Sequence, residues 1–173
     1  LINSHDPQTP QAAYLETITR KTAQLFESAA RLGAVLADAS PAGDRVLGDF
    51  GLNVGIAFQM VDDALDYSAE ADQMGKNAGD DLAEGKITLP LIHAIDRATA
   101  GDRAVIREAI ENGDRDALTE IRRIIESTGA LAYTCARAQE HAGLARQSLE
   151  ALPPSQYRDA LGALADFSVS RTF

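Results

Sequence analysis

Residues 58–92 read FQMVDDALDYSAEADQMGKNAGDDLAEGKITLPLI. From Gly55 to Tyr67 there is no proline, and apolar positions recur with helical spacing, which predicts a helix. At about 100° per residue, Gln59, Asp62, Asp63 and Asp66 fall within roughly a third of the helix circumference. Phe58, Met60, Val61, Ala64 and Leu65 occupy the opposite side, so one face is carboxylate and amide and the other is core. Asp62 and Asp66 are neighbours one turn apart, where like charges repel by about 0.2–0.5 kcal/mol in an isolated helix. A cation between them would remove that repulsion. A solvated acidic face is the alternative reading of the aspartates taken alone.

The segment that follows bears on that choice. Residues 74–81 are glycine-rich, break the helix and read as a loop. Glu84-Gly85-Lys86 ends the loop, and Thr88 followed by Pro90 marks the next helix start. Lys76 and Lys86 thus flank a connection at the end of the acidic helix. Surface salt bridges would satisfy these charges for little gain. A hard divalent ion carrying a phosphorylated ligand accounts for both sets of charges. Mg²⁺ takes oxygen ligands, usually one or two carboxylates plus substrate phosphates, and lysines neutralise the phosphate charge left over.

Other phosphate and metal signatures fail. A P-loop needs four residues between its glycines and Ser or Thr after its lysine; Gly79 to Gly85 spans five, and Ile87 follows Lys86. The aspartates do not alternate as in an EF-hand loop. No strand leads into the glycines, which removes a Rossmann reading. His5, His93 and His141 are scattered and read as structural, and Cys135, the single cysteine, as a small core residue that excludes any intrachain disulfide.

The block resembles the second aspartate-rich motif of the trans (all-E) polyprenyl diphosphate synthases. Phe58, Gln59, Asp62, Asp63, Asp66, Gly75, Lys76, Asp80, Asp81, Leu82, Glu84, Gly85, Lys86, Thr88 and Pro90 fit that pattern without a gap. Upstream, residues 13–26 (AYLETITRKTAQLF) are similar to the family's Tyr-Leu…Lys-Thr-Ala-x-Leu-Phe helix. Read from its residues, this helix starts at Thr9-Pro10. Tyr14, Ile18, Leu25, Ala29 and Leu32 form one apolar stripe, with Glu16, Arg20, Glu27 and Arg31 opposite. Lys21 and Thr22 lie on or beside the stripe, where a lysine either snorkels to water or meets an anion in a cavity.

The resemblance implies an all-α isoprenoid-synthase bundle and a prenyltransferase that condenses isopentenyl diphosphate with an allylic diphosphate. It implies Mg²⁺ as cofactor, with Asp62 a direct ligand and Asp63 and Asp66 binding it or orienting its water. It assigns Lys21, Lys76 and Lys86 to the diphosphate. The Thr22 hydroxyl, the Lys21 carbonyl and Gln59 would face the allylic cation, and Arg171 would help close the site. A homodimer is the expected assembly.

The resemblance covers nearly all of residues 1–173 but only the second half of the family pattern. The first Asp-Asp-x-x-Asp motif and the basic isopentenyl diphosphate site do not occur in the sequence. The expectation is therefore the C-terminal part of a single isoprenoid-synthase domain, inactive by itself. A non-catalytic helical partner subunit of a heteromeric prenyl synthase is the alternative, although such subunits tend to lose the aspartates retained here. A terpene cyclase would mix Asn, Ser or Thr and Glu into the motif. Product length is not written in these residues.

Composition agrees with one packed helical domain. Of 173 residues 45 % are apolar, proline is sparse at six, and no alternating strand pattern stands out. Helices are expected at about 10–39, 41–69, 89–99, 102–112, 114–127, 130–150 and 154–170. A formal net charge of −10 argues against nucleic acid and against an anionic membrane surface. No stretch approaches the roughly 20 apolar residues of a membrane span and no signal peptide is visible, so the cytoplasm is the expected compartment.

Overall fold

The computed structural model describes residues 4–68 and 79–170, and within them every regular element is helical. The helices are α1 (Gln11–Ile18), α2 (Gln24–Leu36), α3 (Pro41–Leu65), α4 (Asp80–Ala83), α5 (Leu89–Arg97), α6 (Ala100–Asn112), α7 (Leu118–Ser127), α8 (Ala130–Leu149) and α9 (Gln156–Val169). A π-helical turn, Thr19–Ala23, joins α1 to α2, and a 3₁₀ turn, Arg115–Ala117, precedes α7. Two compact units emerge. One holds Leu1–Tyr14 and Asp62–Cys135, together with Phe173; the other holds Leu15–Val61 and Ala136–Thr172. The chain passes from one to the other within α1, α3 and α8.

The core of the first unit is aliphatic. Ile121, Ile124 and Ile125 of α7 repeat at helical spacing and are almost fully buried, together with Ile106 and Ile110 of α6 and Leu91, Ala94 and Ile95 of α5. Each such side chain contributes about 1.5–3 kcal/mol relative to leaving it in water. The Thr99 hydroxyl caps α6 by accepting the Asp102 N–H at 3.2 Å, and Gly113 ends that helix in the left-handed region. Pro90 sits in the first turn of α5 as expected. Leu82, fully buried, anchors the single-turn α4 in this core. The sequence reading had placed a loop there up to residue 81. The helical turn starts at Asp80 instead, directly after Gly79 at φ +79°.

In the second unit α2 and α3 meet along small residues. A Cβ at Gly51 would lie 2.5 Å from the Phe26 carbonyl oxygen, and one at Gly55 2.6 Å from the Ala23 Cα. Only glycine permits so close a backbone approach. Phe50, Val54, Ala145, Leu149 and Ala165 complete this core, with Phe26, Ala30 and Leu47 packed against it.

The expected helix over 10–39 and its stripe need correction. Tyr14 and Ile18 are buried, but Leu25 and Leu32 are 73 % and 58 % exposed, and Ala29 is exposed too. The π-helical turn is the reason. It inserts one extra residue into a helical turn, so every later side chain is rotated by about 100° from the α-helical expectation. The buried face therefore continues from Ile18 to Ala23, five residues on, and then to Phe26, Ala30 and Ala34. Lys21, placed on or beside the stripe by the sequence reading, is exposed. The Thr9 hydroxyl donates to the Asp6 carbonyl at 2.9 Å, just before α1. The helix expected to reach residue 69 ends at Leu65, with a turn through Ser68.

The three histidines hold structure. The His5 N–H donates to the Gly85 carbonyl at 2.8 Å, and its Nδ1 lies 3.0 Å from the Ile110 carbonyl. His93 stacks on Tyr133 with ring centroids 4.1 Å apart, and His141 Nδ1 is 2.8 Å from Asn53 Oδ1. Cys135 is half-buried, and burial pushes its thiol up, away from thiolate. Among the described residues no helix is long and apolar enough to cross a membrane.

Candidate functional site

α3 carries the polar residues of the motif on its last two turns. Asp62 is half-buried, but Asp63 is only 4 % exposed, so the aspartates do not form a solvated acidic face. A buried carboxylate requires a donor, and Tyr14 of α1 supplies one. Its hydroxyl donates to Asp63 Oδ2 at 2.7 Å, within the first unit. Burial first, and the neighbouring Asp63 charge second, raise the Tyr14 phenol well above its usual range, so it remains a donor. Met60, Val61, Ala64 and Leu65 are buried as the sequence predicts, while Phe58 is half-buried.

Asp66 follows immediately after α3 and meets α4. The Asp81 N–H donates to Asp66 Oδ2 at 3.2 Å, and the Gly79 N–H to the Asp66 carbonyl at 3.3 Å. Desolvation and the nearby Asp81 charge raise the Asp66 carboxyl to about 6, even though those backbone donors pull it the other way. Lys86 completes the group. Its Nζ lies 2.9 Å from Asp81 Oδ1 and 2.8 Å from Glu84 Oε2, and these partners raise it above the usual lysine range. Gly85 makes the turn between them with φ +63°, its backbone against the His5 ring. Desolvated carboxylates and an ammonium group thus gather where α3 ends and α4 begins.

In the second unit, the π-helical turn carries Lys21 and Thr22. The Thr22 hydroxyl donates to Gln59 Oε1 at 2.8 Å, which joins two of the expected residues directly. Single π-helical turns inside α-helices are frequent at functional sites. Lys76 and Arg171 lie outside the described residues.

Two contributors escaped the sequence reading. Tyr14 was read as one more residue of an apolar stripe, because nothing in a helical pattern reports where a phenol oxygen points. Asp81 was matched to a motif without a role; its place beside Asp66 depends on the turn at Gly79.

The fit of a divalent ion can be judged from the donor set. Among the described residues no three His, Cys, Asp or Glu side chains close a ligand cage. Asp62, Asp63 and Asp66 nevertheless offer hard oxygen donors, and burial, with the Asp81 charge second, makes the Asp66 carboxylate costly to ionise without a cation. That chemistry suits Mg²⁺ held by one or two carboxylates with phosphate oxygens supplying the rest.

Comparisons with known proteins give the family. The chain is 47 % identical to octaprenyl diphosphate synthase of Haemophilus influenzae, matching all of this chain and 53 % of that protein. It superposes on a polyprenyl synthase from Caulobacter crescentus, complexed with calcium and isoprenyl diphosphate, with a TM-score of 0.92 at 44 % identity. That match takes in 98 % of this chain and 52 % of the other. A decaprenyl diphosphate synthase from Rhodobacter capsulatus gives a TM-score of 0.91 at 36 % identity, over 98 % of this chain and 53 % of that one. The chain thus spans about half the length of the relatives it matches. The sequence profile of the polyprenyl synthetases matches residues 1–128, and on this evidence together with the all-helical fold the chain belongs to the polyprenyl synthetase family.

Proposed function

We propose that this chain carries the second metal and diphosphate site of a prenyltransferase that joins isopentenyl diphosphate to an allylic diphosphate. The observation that supports the reading is the group at the end of α3: Asp66 beside Asp81, and Lys86 paired to Asp81 at 2.9 Å. Carboxylates and an ammonium so arranged suit a metal-bound diphosphate better than they suit one another.

Asp62, Asp63 and Asp66 would hold the ion. When bound, Mg²⁺ neutralises the diphosphate leaving group and so eases ionisation of the allylic substrate. Lys86 exchanges Asp81 and Glu84 for diphosphate oxygens, and Lys21 and Lys76 take the remaining charge. The Thr22 hydroxyl has its proton committed to Gln59. Its oxygen lone pairs, with the Lys21 carbonyl, would supply negative dipole ends to the allylic cation. The intact aspartates favour an enzyme over a non-catalytic partner subunit. A homodimer is proposed, and a cytoplasmic setting suits a sequence whose single cysteine leaves no intrachain disulfide.

Calorimetric titration of inorganic pyrophosphate with and without Mg²⁺ tests the reading. Binding should require Mg²⁺ and weaken at least about tenfold in Asp62→Ala. Metal-independent binding, or unchanged affinity in the variant, would overturn it.

A further inference from the structure

The Tyr14–Asp63 contact reaches beyond this reading. Tyr14 is 3 % exposed and Asp63 4 %, and they stand 49 residues apart in sequence. A phenol buried only for its hydrophobic area has no need of a carboxylate, and phenylalanine would fill the same space. The hydroxyl is instead spent on Asp63 Oδ2, the middle aspartate of the motif, at 2.7 Å. A carboxylate bound in this way has its plane fixed: rotation about its terminal torsion would break a short, charge-assisted hydrogen bond in a buried site. Groups around an ion depend on such outer partners for their orientation. Tyr14 also belongs to α1, which runs straight into the π-helical turn of Lys21 and Thr22.

We propose that Tyr14 is a positioning residue, whose hydroxyl orients Asp63 toward the metal-bound diphosphate. Tyr14 itself touches neither metal nor substrate. The inference rests on the metal-diphosphate reading, and its test separates the two. The measurements are Mg²⁺-dependent pyrophosphate affinity, by calorimetry, and the melting temperature without metal, for wild type, Y14F, D63A and Y14F/D63A. Y14F should weaken Mg²⁺-dependent affinity by about five- to thirtyfold, and Y14F/D63A should match D63A, because no carboxylate remains to be oriented.

Wild-type affinity in Y14F would overturn the positioning role and leave the proposed function standing. Absence of Mg²⁺-dependent binding by wild type would remove both. A further loss of affinity from D63A to Y14F/D63A would show that Tyr14 acts through something else, which also overturns the proposal. The metal-free melting temperatures show that each variant is folded, so a change of affinity is read only from folded protein.

Discussion

The two ends of α3 solve opposite problems. Toward its middle, Gly48, Gly51 and Gly55 recur three and four residues apart, and backbone or side-chain atoms of the preceding helical segment fill the space their side chains would take. At its C-terminal end the helix buries Asp63 and leads into Asp66, whose carboxyl is raised to about 6. At Gly51 and Gly55 the seam is shape, with backbone so close that a methyl group has no room. The acidic end is charge kept partly out of water, which costs stability unless something else compensates. Regions that break the rules of stable packing are where function is expected. One helix therefore carries a segment built for stability and a segment that suits the proposed ligand.

Substitutions can break this comparison. Gly55→Ala should be the most damaging to folding, because the new Cβ meets the Ala23 backbone, which has no rotamer to yield. A loss of about 1–3 kcal/mol is expected in urea denaturation. A neutral result would mean that the seam is looser than its distances.

Lys86→Gln should act on the other side of the comparison. Charge-assisted hydrogen bonds contribute about 1.5–3 kcal/mol, and exchange with Asp81 and Glu84 takes back part of that. Mg²⁺-dependent pyrophosphate affinity should fall by about tenfold, or about 1.4 kcal/mol. Melting without ligand should change little, since the lysine is partly exposed. A large fall in melting temperature with unaltered affinity would make Lys86 part of the scaffold.

The pH dependence sharpens the contrast further. Asp66 has a folded-state value of about 6 against an ordinary 3.8. Between those values the folded protein binds more protons than the unfolded chain, so stability falls as pH rises through this window. The urea midpoint of the metal-free protein should thus be higher near pH 4.5 than near pH 7, to roughly the extent this linkage allows. Asp66→Asn should flatten that slope, and Mg²⁺ with pyrophosphate should oppose it by favouring the carboxylate. An unchanged slope in Asp66→Asn would assign it to other groups.

The smallest effect is expected at Arg31, which spans Glu27 and Asp44 on the exposed side of α2. Exposed ion pairs are screened and contribute little. Arg31→Ala should leave both urea midpoint and pyrophosphate affinity within error.

Much of the helical framework was legible before any coordinates. Breaks at Ser40-Pro41 and Pro153-Pro154 are local signals that need no tertiary context, whereas α6, capped by Thr99, starts at Ala100, two residues before the expected 102. The expected ends of α5, α7, α8 and α9 agree with the structure to within a few residues. The stripe on α1 and α2 failed because a π-helical turn has no mark in hydrophobic periodicity. Tyr14, Ile18, Leu25 and Leu32 fit an α-helical face, yet one extra residue at Thr19–Ala23 turns the second pair to solvent. The candidate residues could be named from the sequence. Its wiring was not: Tyr14 to Asp63, Thr22 to Gln59, and Asp81 to Asp66.

By itself, the order of residues determined that this chain is helical, that its acidic and basic groups converge in one motif, and which family it resembles. Those properties depend on spacing along a chain, and helical geometry turns spacing into faces over a few turns. Only the tertiary structure decided which aspartate is buried, which hydroxyl holds it and which way Lys21 turns. Burial and hydrogen-bond partners arise between segments tens of residues apart, where the register of one extra residue outweighs local preference.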